Sequence, residues 1–428
     1  MIFSGAFLGF YLNPDSSEAD GGQGRLLAKI IWFLVFLPGL LFSLRNPWRI
    51  GRNLLFREPF MLAMTGLALA SCAWTLLPGI SLRRALLLLA TLQYASYLGS
   101  TYSWLELQRL TRHALRWGLL LSCLVALVHP ELGRHQGEHQ GLWRGLYLHK
   151  NSFGRMGALL STLSLSVSMG GLARSKKLAT LDFLLGLAVL GLSNSRTSIG
   201  LLMAAAVVLS GLRILLRSAS SLRVSMAGLS AAGLAVALPT LPLLLPILAM
   251  ANWDKLLTGR VTLWKTVYYL ASKKFWTGYG YGVFFQDAAF GKLIELFEGW
   301  PAPHSHNILL ELFTDMGIGA VLLYLCTMAL YFWRVTRRPG RLTMIAVGIG
   351  SFNLLTGLTE TGCYPNSDLT SLLFMMLAMT VSRQDMMAFR SGSTVSEFHR
   401  GGLAVGGEDA GPRQPLQGQQ GTKEGVET

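Results

Sequence analysis

Two histidines and two arginines set the chemistry open to this chain. His304-Ser305-His306-Asn307 closes the longest polar break between apolar segments, residues 251–305, and Arg260 lies near its start. Arg196 sits in the short turn Ser193-Asn194-Ser195-Arg196-Thr197, and a third polar group runs from Trp143 through His149 and Lys150 to Asn151. A guanidinium stays charged and presents a fork of donors that fits phosphate oxygens. A neutral imidazole near pH 7 can take the proton from an attacking hydroxyl. Together these groups suit transfer from a phosphate-linked donor, with cations meeting the charge that grows on the leaving group and a base activating the acceptor. His306 is the leading candidate base, His304 its orienting partner, and Arg196 and Arg260 the candidate cations.

Other residues fill supporting roles. Lys150 and His149 are read as phosphate or glycan contacts, or else as the residues that open the helix after them. Asn307 is grouped with the substrate contacts at the start of another helix. Glu311 and Asp315 follow Asn307 at i+4 and i+8 and share one helical stripe; Glu311 is a reserve base and substrate contact, and Glu360 a second reserve. No Asp-x-Asp pair of the kind that holds a divalent ion occurs, so neither metal nor other cofactor is expected. Trp143, Tyr147, Trp264, Tyr279, Tyr281 and Trp300 fit an aromatic belt at a membrane interface, with sugar stacking open to one or two.

The scaffold around these groups is apolar. Of 428 residues 51% are hydrophobic and only 14% charged, where a soluble domain carries roughly a quarter charged. This describes an all-α polytopic membrane protein. The net charge of +15 is spread in short clusters between apolar segments, which fits positive-inside loops and not nucleic-acid binding. Cys72, Cys123, Cys326 and Cys363 show no metal spacing and read as buried free thiols. The N-terminus has no basic start or small-residue cleavage site, so processing is not expected.

Apolar spans run over 26–44, 58–77, 84–102, 114–130, 152–172, 179–193, 198–213, 224–250, 306–333, 342–360 and 366–383. The count is eleven transmembrane helices, or twelve if residues 1–12 also insert. Pro239, Pro242 and Pro246 should bend the span before the large loop. Alternate connections carry the arginines and lysines, including Arg45, Arg49, Arg112, Arg116, Arg174, Arg213, Arg334 and Arg337, and so face the cytoplasm. The remaining connections, despite Arg83 and Arg84, face outward, and all three polar groups fall on them. The expected organisation is a transmembrane domain over 1–383 with a large outer loop at 251–305. A disordered cytoplasmic tail, rich in Gly, Gln and Ser, follows over 384–428.

The ordered runs Trp143 to Gly154 (W-R-G-x-x-x-H-K-N-x-x-G), S-x-S-R-T, Gly259 to Trp264 (G-R-x-x-x-W), Gly278 to Gly282 and H-S-H-N resemble the O-antigen ligase and exopolysaccharide polymerase superfamily, which includes the Wzy-type polymerases. The likeness spans about residues 30–383, and the H-K-N segment is most similar to the exopolysaccharide-polymerase branch. In the ligases a histidine and N, S or Q precede G-x-x-G by nine residues; Gly317 fits here, whereas Ala320 stands where the second Gly belongs. The resemblance implies a metal-independent glycosyltransferase of the GT-C kind in the bacterial inner membrane. Its donor would be an undecaprenyl-diphosphate-linked glycan, its acceptor a saccharide, and its active site would face the periplasm. A flippase and a chain-length regulator would be partners. Polymerisation of lipid-linked saccharides is the leading expectation; transfer of a finished glycan to a lipid A core or another envelope acceptor, and a transporter, are the alternatives.

Overall fold

The computed structural model describes residues 23–136, 139–217, 260–299, 302–337, 342–361, 363–366 and 368–391. Residues 1–12, the span 224–250 with its three prolines, Trp300 and the tail beyond 391 lie outside the described residues. The chain divides into two compact units, Met1–Arg383 and Gln384–Thr428. Among the described residues the architecture is helical, with one isolated bridge between Arg134 and Trp143.

The helices are α1 (Gln23–Arg45), α2 (Pro59–Ala70), α3 (Pro78–Thr101), α4 (Trp104–Val128), α5 (Lys150–Met169), α6 (Lys176–Ser193), α7 (Arg196–Arg217), α8 (Arg260–Ser272), α9 (Ala288–Glu298), α10 (Ile308–Arg337), α11 (Thr343–Thr359) and α12 (Leu369–Ser391). Their starts follow local chemistry. Pro59 and Pro78 occupy first turns, where a missing N–H costs nothing. Ser103 and Glu106 close a capping box on α4, and Ser175 caps α6.

Ten of the eleven spans expected from the sequence coincide with these helices, and the eleventh falls outside the described residues. Among the described residues three helices are long and apolar enough on their own to cross a bilayer: Trp104–Val128, Arg196–Leu216 and Ile308–Arg337. A fourth joins them if Ile30–Arg45 and Pro47–Arg57, bent by 99°, form one span. The rest are shorter, or diluted by the small and hydroxyl residues that let helices approach closely. The protein is an all-α polytopic membrane protein, and exposed side chains such as Leu181, Met203 and Val207 present the surface that lipid would cover.

Helix α5 is the hub, packing against α4, α6, α7 and α11. Gly154, Gly157 and Ser161 lie on one face at i, i+3 and i+7. They meet Ser193, Val189 and Gly186 of the antiparallel α6; a Cβ on Gly154 would come within 2.7 Å of Ser193 Oγ. This contact brings the turn between α6 and α7 against the start of α5.

Helix α10 is broken at Gly317, whose φ of 72° and ψ of −169° belong to a region open essentially to glycine alone. The backbone groups freed by the break are satisfied by the loop before it. Tyr279 N and Gly280 N donate to the carbonyls of Thr314 and Asp315, both at 2.8 Å, and Ile318 N donates to Phe275 O at 2.9 Å. The Gly-Tyr-Gly-Tyr-Gly run therefore repairs a broken helix, as irregular backbone at membrane depth requires. Tyr279 and Tyr281 are buried and donate to the carbonyls of Leu270 and Pro365, and Tyr147 is buried too. These three are not belt residues.

One further expectation changes. Cys326 is exposed, whereas Cys363 is buried and Cys72 and Cys123 are half-buried. Arg84 Nη1 donates to Gly282 O, so this cation serves the glycine turn. A Cβ at Gly317 would also overlap the Trp276 carbonyl. Gly317→Ala should therefore cost about 1–3 kcal/mol, seen as a lower unfolding temperature in detergent, while Gly319→Ala, with nothing near its Cβ, should leave it unchanged.

Candidate active site

Glu360 joins the histidines to the large loop. It follows α11, and its two oxygens face different partners: Arg260 Nη2 donates to Oε1 at 3.0 Å, and His306 Nδ1 lies 3.1 Å from Oε2. Arg260, the first residue of α8, also donates through Nη1 to the Thr359 carbonyl. All three side chains are largely buried, between 12% and 15% exposed. Burial alone would raise the Glu360 carboxyl. The hydrogen bond from His306 and the charges of His306, Arg260 and Arg155 outweigh it and hold the group at about 2. Beside an anionic Glu360, His306 Nδ1 is the donor of this hydrogen bond.

The loop carrying the histidines is fixed from several sides. His306 takes a positive φ of 54°. Asn307 Oδ1 accepts from Leu309 N and Leu310 N at 3.0 and 3.3 Å, an N-cap for α10. Glu311 Oε2 accepts from Ser305 N and Ser305 Oγ at 3.0 and 2.7 Å. Trp264 Nε1 donates to Ser305 O at 2.9 Å. Asn307, Glu311 and Trp264 thus position the loop by contacts their identities alone left open. His304 stands edge-on to His306 with ring centroids 4.0 Å apart, and its Nδ1 is buried without a partner. Burial, then the charge of His306, lowers the His304 imidazole to about 4, which keeps it neutral near pH 7.

The other two polar groups converge on the same end of the bundle. His149 caps α5 by accepting from Asn151 N at 3.2 Å, and Lys150 N donates to His135 Nε2 at 2.9 Å. The rings of His135, His139 and His149 lie 5.0 to 5.6 Å apart. Burial, followed by the charges of His139 and Lys150, lowers His149. A cleft lined by Asn151, Ser152, Arg155, Thr197, Ser198 and Glu360 connects α5, the start of α7 and the end of α11. Arg196 itself is exposed, one residue before Thr197.

Sequence reasoning passed over Arg155 and Asp368. Arg155 lies one turn beyond Asn151 inside an apolar span, and an arginine there was itself a signal. His304, His306 and Glu360 also offer ligand atoms within 4.8 Å of one another, a set able to hold a metal ion. Each Glu360 oxygen already carries one hydrogen bond, so an ion there would share the carboxylate with Arg260 and His306.

Residues 181–325 match the family model described as O-antigen ligase, a segment that includes Arg196, Arg260, His304 and His306. No curated protein matches the chain. Among solved structures, a chain from one described as "Structural coordination of polymerization and crosslinking by a peptidoglycan synthase complex" is similar at 18% identity, with a TM-score of 0.41, over 76% of this chain and 96% of its own length.

The lowered Glu360 carboxyl makes a stability prediction with a definite sign. Its folded value of about 2 lies below an unfolded value near 4.3, so its contribution is complete above about pH 4.3 and is lost as pH falls toward 2. The gap in unfolding temperature between the protein and Glu360→Gln should stay constant from neutral pH down to about 5 and narrow below that. Thermal unfolding in nanodiscs across this range checks it; a gap that widens in acid contradicts it.

Proposed function

We propose that this chain, whose residues 181–325 match the O-antigen ligase family model, is a membrane glycosyltransferase of the O-antigen ligase and Wzy-type superfamily that extends lipid-linked oligosaccharide, with undecaprenyl diphosphate as the leaving group. The observation that carries this reading is the Glu360 carboxylate shared by His306 and Arg260, beside a cleft edged by the starts of α5 and α7.

The acceptor hydroxyl gives its proton to His306 Nε2 while its oxygen attacks the anomeric carbon. The anomeric C–O bond to the diphosphate breaks, and its electron pair leaves with the phosphate oxygen. Glu360 stabilises the imidazolium as it forms. Two N–H groups of Arg260 are engaged by Glu360 and Thr359, and the others meet charge on the leaving group without a metal. Arg196, exposed at the start of α7, and Lys150, His149 and His304 complete the candidate contacts. Glu311 and Asn307 act by holding the loop.

The site lies at the end of the bundle where α5, α7, α10 and α12 begin and α6 and α11 end. The Arg112–Asp182–Arg116 cluster and the Arg334–Glu58 pair belong to the opposite helix ends. Positive-inside bias supports a cytoplasmic side there and a periplasmic site in an inner membrane. The catalytic domain would then be 1–383 and the tail 384–428 cytoplasmic, with a flippase and a chain-length regulator as partners. The matched family's description favours a second reading, ligation of finished glycan to an envelope acceptor.

Membranes given a lipid-diphosphate oligosaccharide test the proposal: longer lipid-linked glycan supports polymerase, transfer to another acceptor supports ligase, and no glycan transfer contradicts both. His306→Ala should lower turnover by about 10² to 10⁴. Arg260→Lys should recover little activity, because the fork is lost. Chelation by EDTA should leave the rate unchanged, and EDTA-sensitive turnover would contradict the arginine mechanism.

A further inference from the structure

Arg155 is a largely enclosed cation with a donor to spare. Its side chain is 16% exposed, it lines the cleft beside Glu360, and its Nε is buried without a hydrogen-bond partner. The nearest carboxylate is Asp368, with Arg155 Nη2 and Asp368 Oδ2 3.7 Å apart. That distance leaves an ion pair without a hydrogen bond, since charge-assisted bonds close at about 2.7–2.9 Å. Asp368 Oδ2 accepts no hydrogen bond either, and Asp368 Oδ1 is held by Ser371 N at 2.8 Å in capping α12. The carboxylate is thereby anchored to the start of α12, short of the guanidinium.

The charge balance points the same way. Arg155 is within electrostatic reach of Glu360, which its charge helps to keep ionised. Glu360 already serves His306 and Arg260. Asp368 is raised by burial, against the lowering effect of Arg155. The carboxylates near Arg155 are thus Glu360, already shared by His306 and Arg260, and Asp368, held back by the start of α12, and a guanidinium so placed is costly until another anion joins it. The serine and threonine hydroxyls of the cleft add neutral donors and no further negative charge.

We propose that Arg155 binds the second phosphate of a lipid diphosphate in the cleft between α5, the start of α7 and Glu360, and that Asp368 is a positioning residue that holds the guanidinium there until the phosphate takes its place. This rests on the transferase reading for the identity of the lipid. It separates two cationic contacts, Arg260 beside the proton-transfer pair and Arg155 at the far phosphate. It also makes the protein distinguish a diphosphate from a monophosphate before any chemistry occurs.

Binding of polyprenyl diphosphate and polyprenyl monophosphate to the full chain in nanodiscs tests this without requiring turnover. The protein should prefer the diphosphate by about tenfold or more, the ratio equivalent to ~1.4 kcal/mol. Arg155→Gln should bring the ratio close to one, chiefly by weakening the diphosphate. Arg155→Lys, which keeps the charge and most of the volume, should retain part of the preference. Asp368→Asn should keep or increase it, because the carboxylate competes with phosphate for the guanidinium. A full preference in Arg155→Gln, or a collapse in Asp368→Asn equal to that in Arg155→Gln, overturns the proposal. If the unaltered protein bound neither lipid, the transferase reading would fall with it. If the preference depended on Arg155 but membranes transferred no glycan, the phosphate site would stand and only the transferase reading would fail.

Discussion

One carboxylate holds the site together. Glu360 is contacted by Arg260 at the head of α8 and by His306 just before α10, while it is itself fixed by the end of α11. Without an anion at this point, a buried guanidinium and an imidazole would face each other across a poorly solvated junction, an arrangement with no favourable electrostatic solution. With it, Arg260 is aimed and His306 is held through Nδ1. The same anion links a segment near residue 260 to one near 306 and one near 360, so the site cannot form before the bundle does.

A second constraint is backbone satisfaction at a helix break. Gly317 lets α10 change direction two and three residues beyond the carbonyls of Asp315 and Thr314, which then accept from the glycine-rich turn of 278–282. Arg84 and Trp74 tie the same region down through the carbonyls of Gly282 and Thr277. The large loop is thus built into the helix that bears the histidines. The loop end at 304–307 inherits its position from both, through Trp264 on one side and Glu311 on the other.

The fold class was legible because apolar segments of near-spanning length leave little choice in lipid, and the candidate site was legible because arginines and histidines in polar breaks stand out against that background. His306 and Arg260 were singled out from type and position, and the structure brings both to one carboxylate. What remained hidden depended on partners distant in sequence. Glu360 ranked as a reserve base because nothing near residue 360 announces His306 or Arg260. Asn307 and Glu311 read as chemical groups until their oxygens were seen on the backbone N–H groups of Leu309, Leu310 and Ser305. Trp264 and the two tyrosines of the glycine turn looked like belt residues because amphipathic aromatics carry the same signature whether they face a headgroup or a buried carbonyl. Arg155 was lost for a simpler reason: a run of apolar neighbours absorbed it into a span.

The central claim is that Glu360 acts through His306, and a double-mutant cycle on the kcat/KM of glycan transfer addresses it most directly. The account predicts strong coupling: Glu360→Gln alone costs nearly as much as His306→Ala, and the double variant is little worse than either. Costs that simply add, or a Glu360→Gln protein that turns over normally, would contradict it.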